Sequence, residues 1–142
     1  MFLLDTNVIS ELRHGKPRQS AAVRTWAQTQ PIQRLYLSAI TRMELEIGVQ
    51  RMERKDPAQG AVLRKWSEAV LHQFEGRVLP FTSLTGLHCA GLHVPDPRSF
   101  RDSMIAATAL EHRFAVVTRN VGDFAGADVT LVNPFADVPA DS

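Results

Sequence analysis

Short apolar runs alternate with longer amphipathic stretches along the whole chain. Phe2 to Asp5 reads as a buried strand, followed by Thr6-Asn7 and a helical turn over Val8 to Leu12. His14-Gly15-Lys16-Pro17 is a turn, Ser20 to Ala27 is helical, and Pro31 closes that stretch. Leu35 to Ser38 is a second strand. Ser38 or Thr41 then caps a helix through about Met52, in which Ile40, Met43, Ile47 and Leu45, Val49, Met52 recur at helical spacing. After Lys55-Asp56-Pro57 a further helix runs over about 58–75, with Val62, Trp66, Ala69 and Val70 as its inward face and Gly76 as its stop. Arg77 to Phe81 is a third strand, and Thr82 opens a helix to about Leu92. Pro95-Asp96-Pro97 is a rigid loop, and Ser99 to Arg113 holds a long helix. Ala115 to Thr118 is a fourth strand, Asn120 to Phe124 a turn, and Val129 to Val132 a fifth strand. Strands alternating with helices predict an α/β fold with a mostly parallel sheet.

Composition narrows this without adding to it. A length of 142 residues fits one domain large enough to bury a core unaided. The expected division is a single domain over residues 1–135 and a polar C-terminal tail over 136–142. A lone cysteine, Cys89, excludes an internal disulfide and suits a reducing compartment. The chain opens directly into Phe2-Leu3-Leu4, with no basic leader and no cleavage site. No apolar run approaches the roughly 18 residues of a membrane span. The expectation is a cytoplasmic, soluble protein without membrane partners.

The chemistry lies in four acids placed where predicted strands hand over to helices: Asp5, Glu44, Asp102 and Asp123. Each also has a structural reading. Asp5 can cap a helix, although Thr6 and Asn7 can do so in its place and leave its side chain free. Glu44, Asp102 and Asp123 each follow a plausible cap (Thr41, Ser99, Asn120) by three residues, as in a capping box. Their joint occurrence at strand ends points beyond capping, because ligands bind at that edge of a parallel sheet. Two carboxylates about 5 Å apart repel by roughly 3 kcal/mol at an effective dielectric near 20. A divalent ion removes that cost, and all-oxygen ligation selects Mg²⁺ or Mn²⁺ over zinc. Such an ion can activate water and orient a phosphodiester for hydrolysis. On this reading Asp5→Asn keeps or gains stability without metal, since one of a repelling set is neutralised.

The segments MFLLDTNVISEL, LSAITRMELEIGVQRM, FRDSMIAATALEH and VTRNVGDF closely resemble the PIN-domain nucleases of the VapC/FitB toxin type. The likeness runs from Met1 to Asn133-Pro134-Phe135. It implies a PIN-like fold with a central five-stranded parallel sheet flanked by helices. It also implies an endoribonuclease using one or two Mg²⁺ or Mn²⁺ ions, acting as a toxin that a small cognate antitoxin inhibits. Carried over residue by residue, Asp5, Glu44, Asp102 and Asp123 are the catalytic and metal-holding acids, with Thr6, Asn7, Thr118 and Asn120 as polar helpers. Asp5 and Asp102 are expected to hold the principal ion, while Glu44 and Asp123 complete the shell, position the attacking water or hold a second ion. With no histidine in the pattern, base chemistry falls to the metal-activated water or a carboxylate. A homodimer follows from the family, with the apolar faces around 20–27 and 43–66 as candidate contacts.

The basic residues Arg13, Lys16, Arg18, Arg42, Arg98, Arg101 and Arg119 are candidate contacts for RNA phosphates, or solvated surface charges. Residues 1–79 carry 12 Lys/Arg against 8 Asp/Glu and residues 80–142 carry 4 against 7, a split compatible with a polyanion lying across the site. Two other functions remain open: an aspartyl phosphatase or phosphoacceptor using Asp5 as nucleophile, and a catalytically silent binding module. The phosphoacceptor reading is weakened by Asn7, since such enzymes often carry a second Asp at that spacing.

Overall fold

The computed structural model describes residues 1–13 and 18–135. The expected turn at His14–Pro17 and the polar tail over 136–142 lie outside the described residues. Five strands form one parallel sheet in the order β3-β2-β1-β4-β5: β1 Phe2–Leu4, β2 Leu35–Ser38, β3 Val78–Leu79, β4 Ala115–Val117 and β5 Leu131–Val132. The helices are α1 Thr6–Glu11, α2 Ala21–Gln28, α3 Ala39–Lys55, α4 Pro57–Gln73, α5 Ser83–Leu92 and α6 Phe100–His112.

The order of the strands sets where the site lies. The chain builds outward from β1 through β2 to β3, then crosses back to place β4 on the other side of β1. Between β1 and β4 the winding direction reverses, and the connections leaving the two strands diverge to open a crevice at their C-terminal ends. The strands register Phe2 with Ala115 and Leu4 with Val117, so Asp5 and Thr118 emerge side by side. Asp5 N–H donates to Val117 O at 2.9 Å, extending the ladder to the first acid.

Alternation along β1 divides the core. Leu4 joins Val8, Ile9, Val23, Leu37, Phe74 and Val117 on one face; Leu3 joins Ile105, Ala106, Ala109, Val116 and Phe124 on the other. A central strand covered on both faces must be apolar at every position, which is why Phe2-Leu3-Leu4 shows no alternation in sequence. The alanines of α6 are fully buried and bring its backbone close to the sheet.

Several expected boundaries move. α3 starts at Ala39 with Ser38 as its cap, the Ser38 hydroxyl accepting from Thr41 N–H at 3.0 Å, so Thr41 is the third helical residue and no longer a candidate cap. α3 then runs on to Lys55, and Asp56 ends it while capping α4 through Gln59 N–H at 3.2 Å. β3 is only two residues long, leaving Phe81 outside it and 36% exposed. The turn after β4 is a 3₁₀ turn over Val121–Phe124, and a second, unanticipated one spans Ile32–Arg34.

The predicted inward face of α4 is corrected as well. Val62 is 55% exposed and Ala69 is exposed; Trp66, Val70 and Leu71 pack on the core instead. The cause is the α3–α4 hairpin, which crosses at the buried Gly60 and turns α4 about its axis. Arg64 pins the hairpin by bonding Glu46 at 2.6 Å and Glu53 at 2.8 Å. α2 turns Val23 and Trp26 inward, Trp26 lying edge-on to Phe2, so the 20–27 segment offers no large exposed apolar face. Exposed apolar residues do occur at Met43 and Ile47 on α3, and also at Leu84, Leu87, Val94 and Phe100, which periodicity did not single out.

Candidate active site

Asp5 is the first residue after β1 and has no solvent exposure. It caps α1, its Oδ1 accepting from Thr6 N–H at 2.7 Å. The expectation that Thr6 or Asn7 would cap and leave Asp5 free is therefore corrected: those two side chains serve the site. The Thr6 hydroxyl donates to Glu44 Oε1 at 2.6 Å, and Asn7 Nδ2 donates to Asp5 Oδ2 at 3.2 Å.

Thr118, buried after β4, joins the two strand ends. Its hydroxyl donates to Asp5 Oδ2 at 2.8 Å, and its oxygen accepts from Asn120 N–H at 3.0 Å and Asn7 Nδ2 at 3.3 Å. Asn7 Oδ1 accepts from Arg119 N–H at 3.0 Å. All four predicted polar helpers thus meet around Asp5, Asn120 through its backbone. A buried carboxylate accepting four hydrogen bonds is held in one orientation, and its lone pairs are met by donors, as burial of a charge requires.

Glu44 reaches the same place from the second turn of α3. Once Ser38 is the cap, Glu44 sits too far along the helix to return to it, and its carboxylate projects toward Thr6. Asp102 stands in the first turn of α6, where the helix dipole favours an anion, and Ser99 makes no side-chain cap bond there. Neither acid is used as a capping-box partner. Asp5, Glu44 and Asp102 come from three elements and converge.

What they converge on is Arg101. Its Nη2 donates to Asp5 Oδ1 at 2.6 Å and to Glu44 Oε1 at 2.9 Å, its Nε to Glu44 Oε2 at 2.7 Å, and its Nη1 to Asp102 Oδ1 at 2.8 Å. Asp5 and Glu44 oxygens that share one nitrogen lie within two hydrogen-bond lengths of each other. Burial pulls the guanidinium pKa down, but hydrogen bonds to Glu44 and Asp5 outweigh it and hold the value above arginine's usual one. Arg101 was expected among the phosphate contacts; it is spent on the acids.

Asp123 is not joined to this cluster. It lies exposed in the 3₁₀ turn after β4, which Phe124 anchors in the core, and its carboxylate has no partner among the described residues. The other candidate phosphate contacts divide. Arg98 donates to the backbone carbonyls of Leu92 at 3.0 Å and Ala125 at 2.8 Å. Arg119 lies 4.1 Å over the Phe135 ring, Arg42 is exposed on α3, Arg13 is half-buried, Arg18 is exposed, and Lys16 falls outside the described residues.

A fold of this order, with acids from the ends of β1, α3 and α6 meeting at the switch point, is matched by a sequence model of the PIN domain over residues 2–128. The chain belongs to the PIN-domain family. Among PIN proteins it is 38% identical to the VapC ribonuclease Y4jK of Sinorhizobium fredii, over 95% of this chain and 98% of that one. It is 35% identical to the toxin FitB of Neisseria gonorrhoeae, over 96% and 100%. A solved structure of FitAB bound to a DNA fragment superposes with a TM-score of 0.89 at 34% identity, over 99% of both chains. The PIN resemblance in the four quoted segments and the five-stranded parallel sheet are both borne out.

The donor set bears on the ion expected in a PIN nuclease. Three carboxylates closing on one cationic group form a hard, all-oxygen, net anionic pocket, the chemistry that Mg²⁺ or Mn²⁺ requires. As arranged, no group of three or more His, Cys, Asp or Glu side chains among the described residues is close enough to hold an ion. The guanidinium stands between them.

Proposed function

We infer that this chain is the toxin of a toxin–antitoxin pair, an endoribonuclease that hydrolyses RNA phosphodiester bonds with a divalent ion. The observation that carries the reading is the convergence of Asp5, Glu44 and Asp102 at the β1/β4 switch point. The relatives lend the class: one is named a ribonuclease, another a toxin, and the superposing structure is of FitAB on DNA. By that likeness the partners are an RNA substrate, a small antitoxin and a second copy of the chain. The setting that goes with this is cytoplasmic; no described helix is long and apolar enough to cross a membrane.

Asp5, Glu44 and Asp102 would hold Mg²⁺ or Mn²⁺, and Asp123 would join from the rim when ion and RNA are bound. The bound ion supplies Lewis acidity and an activated water. The chain's own residues do the rest. Thr118 and Asn7 fix the Asp5 carboxylate, Thr6 orients Glu44, and the buried alanines of α6 fix Asp102 against the sheet. Orientation by such second contacts is what keeps a ligand set in register. Glu44 and Asp102 are partly exposed and can accept a proton from water entering beside them. Against a phosphoacceptor role for Asp5 stand its burial and the Thr6, Asn7 and Thr118 donors that hold both of its oxygens in place.

The test is cleavage of RNA by the purified chain. Cleavage in Mg²⁺ or Mn²⁺ that stops with chelator, and that Glu44→Gln reduces at least about a hundredfold, is the expected result. Metal-independent cleavage, or none by a folded protein in either metal, would overturn the assignment.

A further inference from the structure

We propose that Arg101 is the resident counterion of the carboxylate pocket, and that a divalent ion binds only by displacing its guanidinium. This rests on the reading of Asp5, Glu44 and Asp102 as the cation-holding set.

All three guanidinium nitrogens are committed to the three acids, four bonds in all, with both Glu44 oxygens used. Among the described residues no other Lys, Arg or His forms an ion pair with Asp5, Glu44 or Asp102. An ion and the guanidinium compete for the same oxygens. Mg²⁺–oxygen bonds run about 2.0–2.1 Å, shorter than the 2.6–2.9 Å bonds to Arg101, so the acids must close in as the arginine leaves.

The exchange has a direction and a route. One guanidinium leaves two of three negative charges uncompensated, so a divalent ion gains more from the pocket than the arginine does. The Arg101 side chain is 33% exposed while Asp5 is sealed, so the arginine can withdraw outward without opening the core. Its place next to Asp102 keeps it at the rim afterwards. Resident occupancy also gives the buried Asp5 carboxylate a cationic partner at 2.6 Å, as burial of such a group requires. The apparent affinity for metal falls by the fraction of molecules in which the pocket is free; nine-tenths occupancy by Arg101 weakens it about tenfold.

The experiment is Mn²⁺ titration calorimetry on the wild-type chain, R101Q and R101K, with thermal unfolding of each in chelator and in Mn²⁺. R101Q is expected to have a lower Tm in chelator, to bind Mn²⁺ about tenfold more tightly or better, and to gain more Tm from Mn²⁺ than wild type. R101K keeps the charge but loses the fork, and is expected to bind more tightly than wild type. If R101Q does not fold without metal, R101K carries the comparison. In wild type, Mg²⁺ should shift the ¹⁵Nε resonance of Arg101 toward that of a free arginine. Mn²⁺ binding to wild type that neither variant strengthens, with an unmoved Arg101 resonance, overturns the counterion and leaves the metal site standing. No Mn²⁺ binding by any of the three folded proteins overturns both.

Discussion

Nη2 of Arg101 lies 2.6 Å from Oδ1 of Asp5, a carboxylate fully closed to solvent. That contact reverses the expected consequence of neutralising Asp5. A bare cluster of acids would relax on losing one charge; here the charge is already paired and holds four donors. In Asp5→Asn one oxygen becomes a donor facing donors, and Arg101 loses its buried partner. The variant should lose about 2–4 kcal/mol of stability in chelator, read as a lower urea midpoint at unchanged slope. A midpoint at or above wild type would restore the repelling-cluster picture.

Thr118 is the second support of the same carboxylate. Thr118→Val keeps shape but removes one donor to Asp5 and an acceptor shared by Asn120 N–H and Asn7. A loss of about 1–3 kcal/mol is expected, with Thr118→Ser recovering most of it. Equal urea midpoints for the valine and serine variants would show that the hydroxyl contributes nothing.

The α3–α4 hairpin depends on Gly60. A Cβ there would stand 2.7 Å from the backbone nitrogen of Glu53, and closer still to its Cα, with no flexible side-chain end to yield. Gly60→Ala should cost about 1–3 kcal/mol despite the better helix propensity of alanine. A stabilised variant by thermal unfolding would mean that the helices cross elsewhere.

Across the same hairpin, hydrogen bonds from Arg64 and Gln50 hold the Glu46 carboxyl below its usual value of 4.5. A pKa lowered by folding gives a contribution that is complete above the unfolded value and fades as pH falls through the folded one. The Tm difference between wild type and Arg64→Met should therefore be flat from neutral pH down to about 4.5 and shrink below it. The effect is small because the pair is exposed. A difference that grows on acidification would contradict it.

Much of this arrangement was legible in the sequence. Apolar runs bounded by turn residues marked the five strands, and Asp5, directly after β1, marked the edge where the acids act; Asp102, expected where a strand hands over to a helix, instead follows α5 and opens α6. What was hidden follows from tertiary geometry. Both Ser38 and Thr41 can cap α3, and only the distance from β2 to the helix decides for Ser38, which carries Glu44 past the capping position into the site. Val62 looks inward by periodicity, but the close crossing at Gly60 rotates it out. Arg101 read as a phosphate contact or a solvated charge, and nothing local marked it as the partner of the acids. An arginine beside an acid reads as surface, and only the approach of β1 and α3 to the start of α6 converts it into the centre of the pocket. Asp123 was marked by sequence alone, and the fold leaves it unpartnered at the rim.

The central claim is that Asp5, Glu44 and Asp102 act as one catalytic unit. The most direct measurement is a double-mutant cycle on single-turnover RNA cleavage in saturating Mn²⁺, using Glu44→Gln, Asp102→Asn and the pair. Each single variant should lose at least about a hundredfold, with the double hardly slower than the worse single, since groups that work as a unit are not additive. Losses that multiply in the double variant, or a single variant cleaving at the wild-type rate, would contradict it.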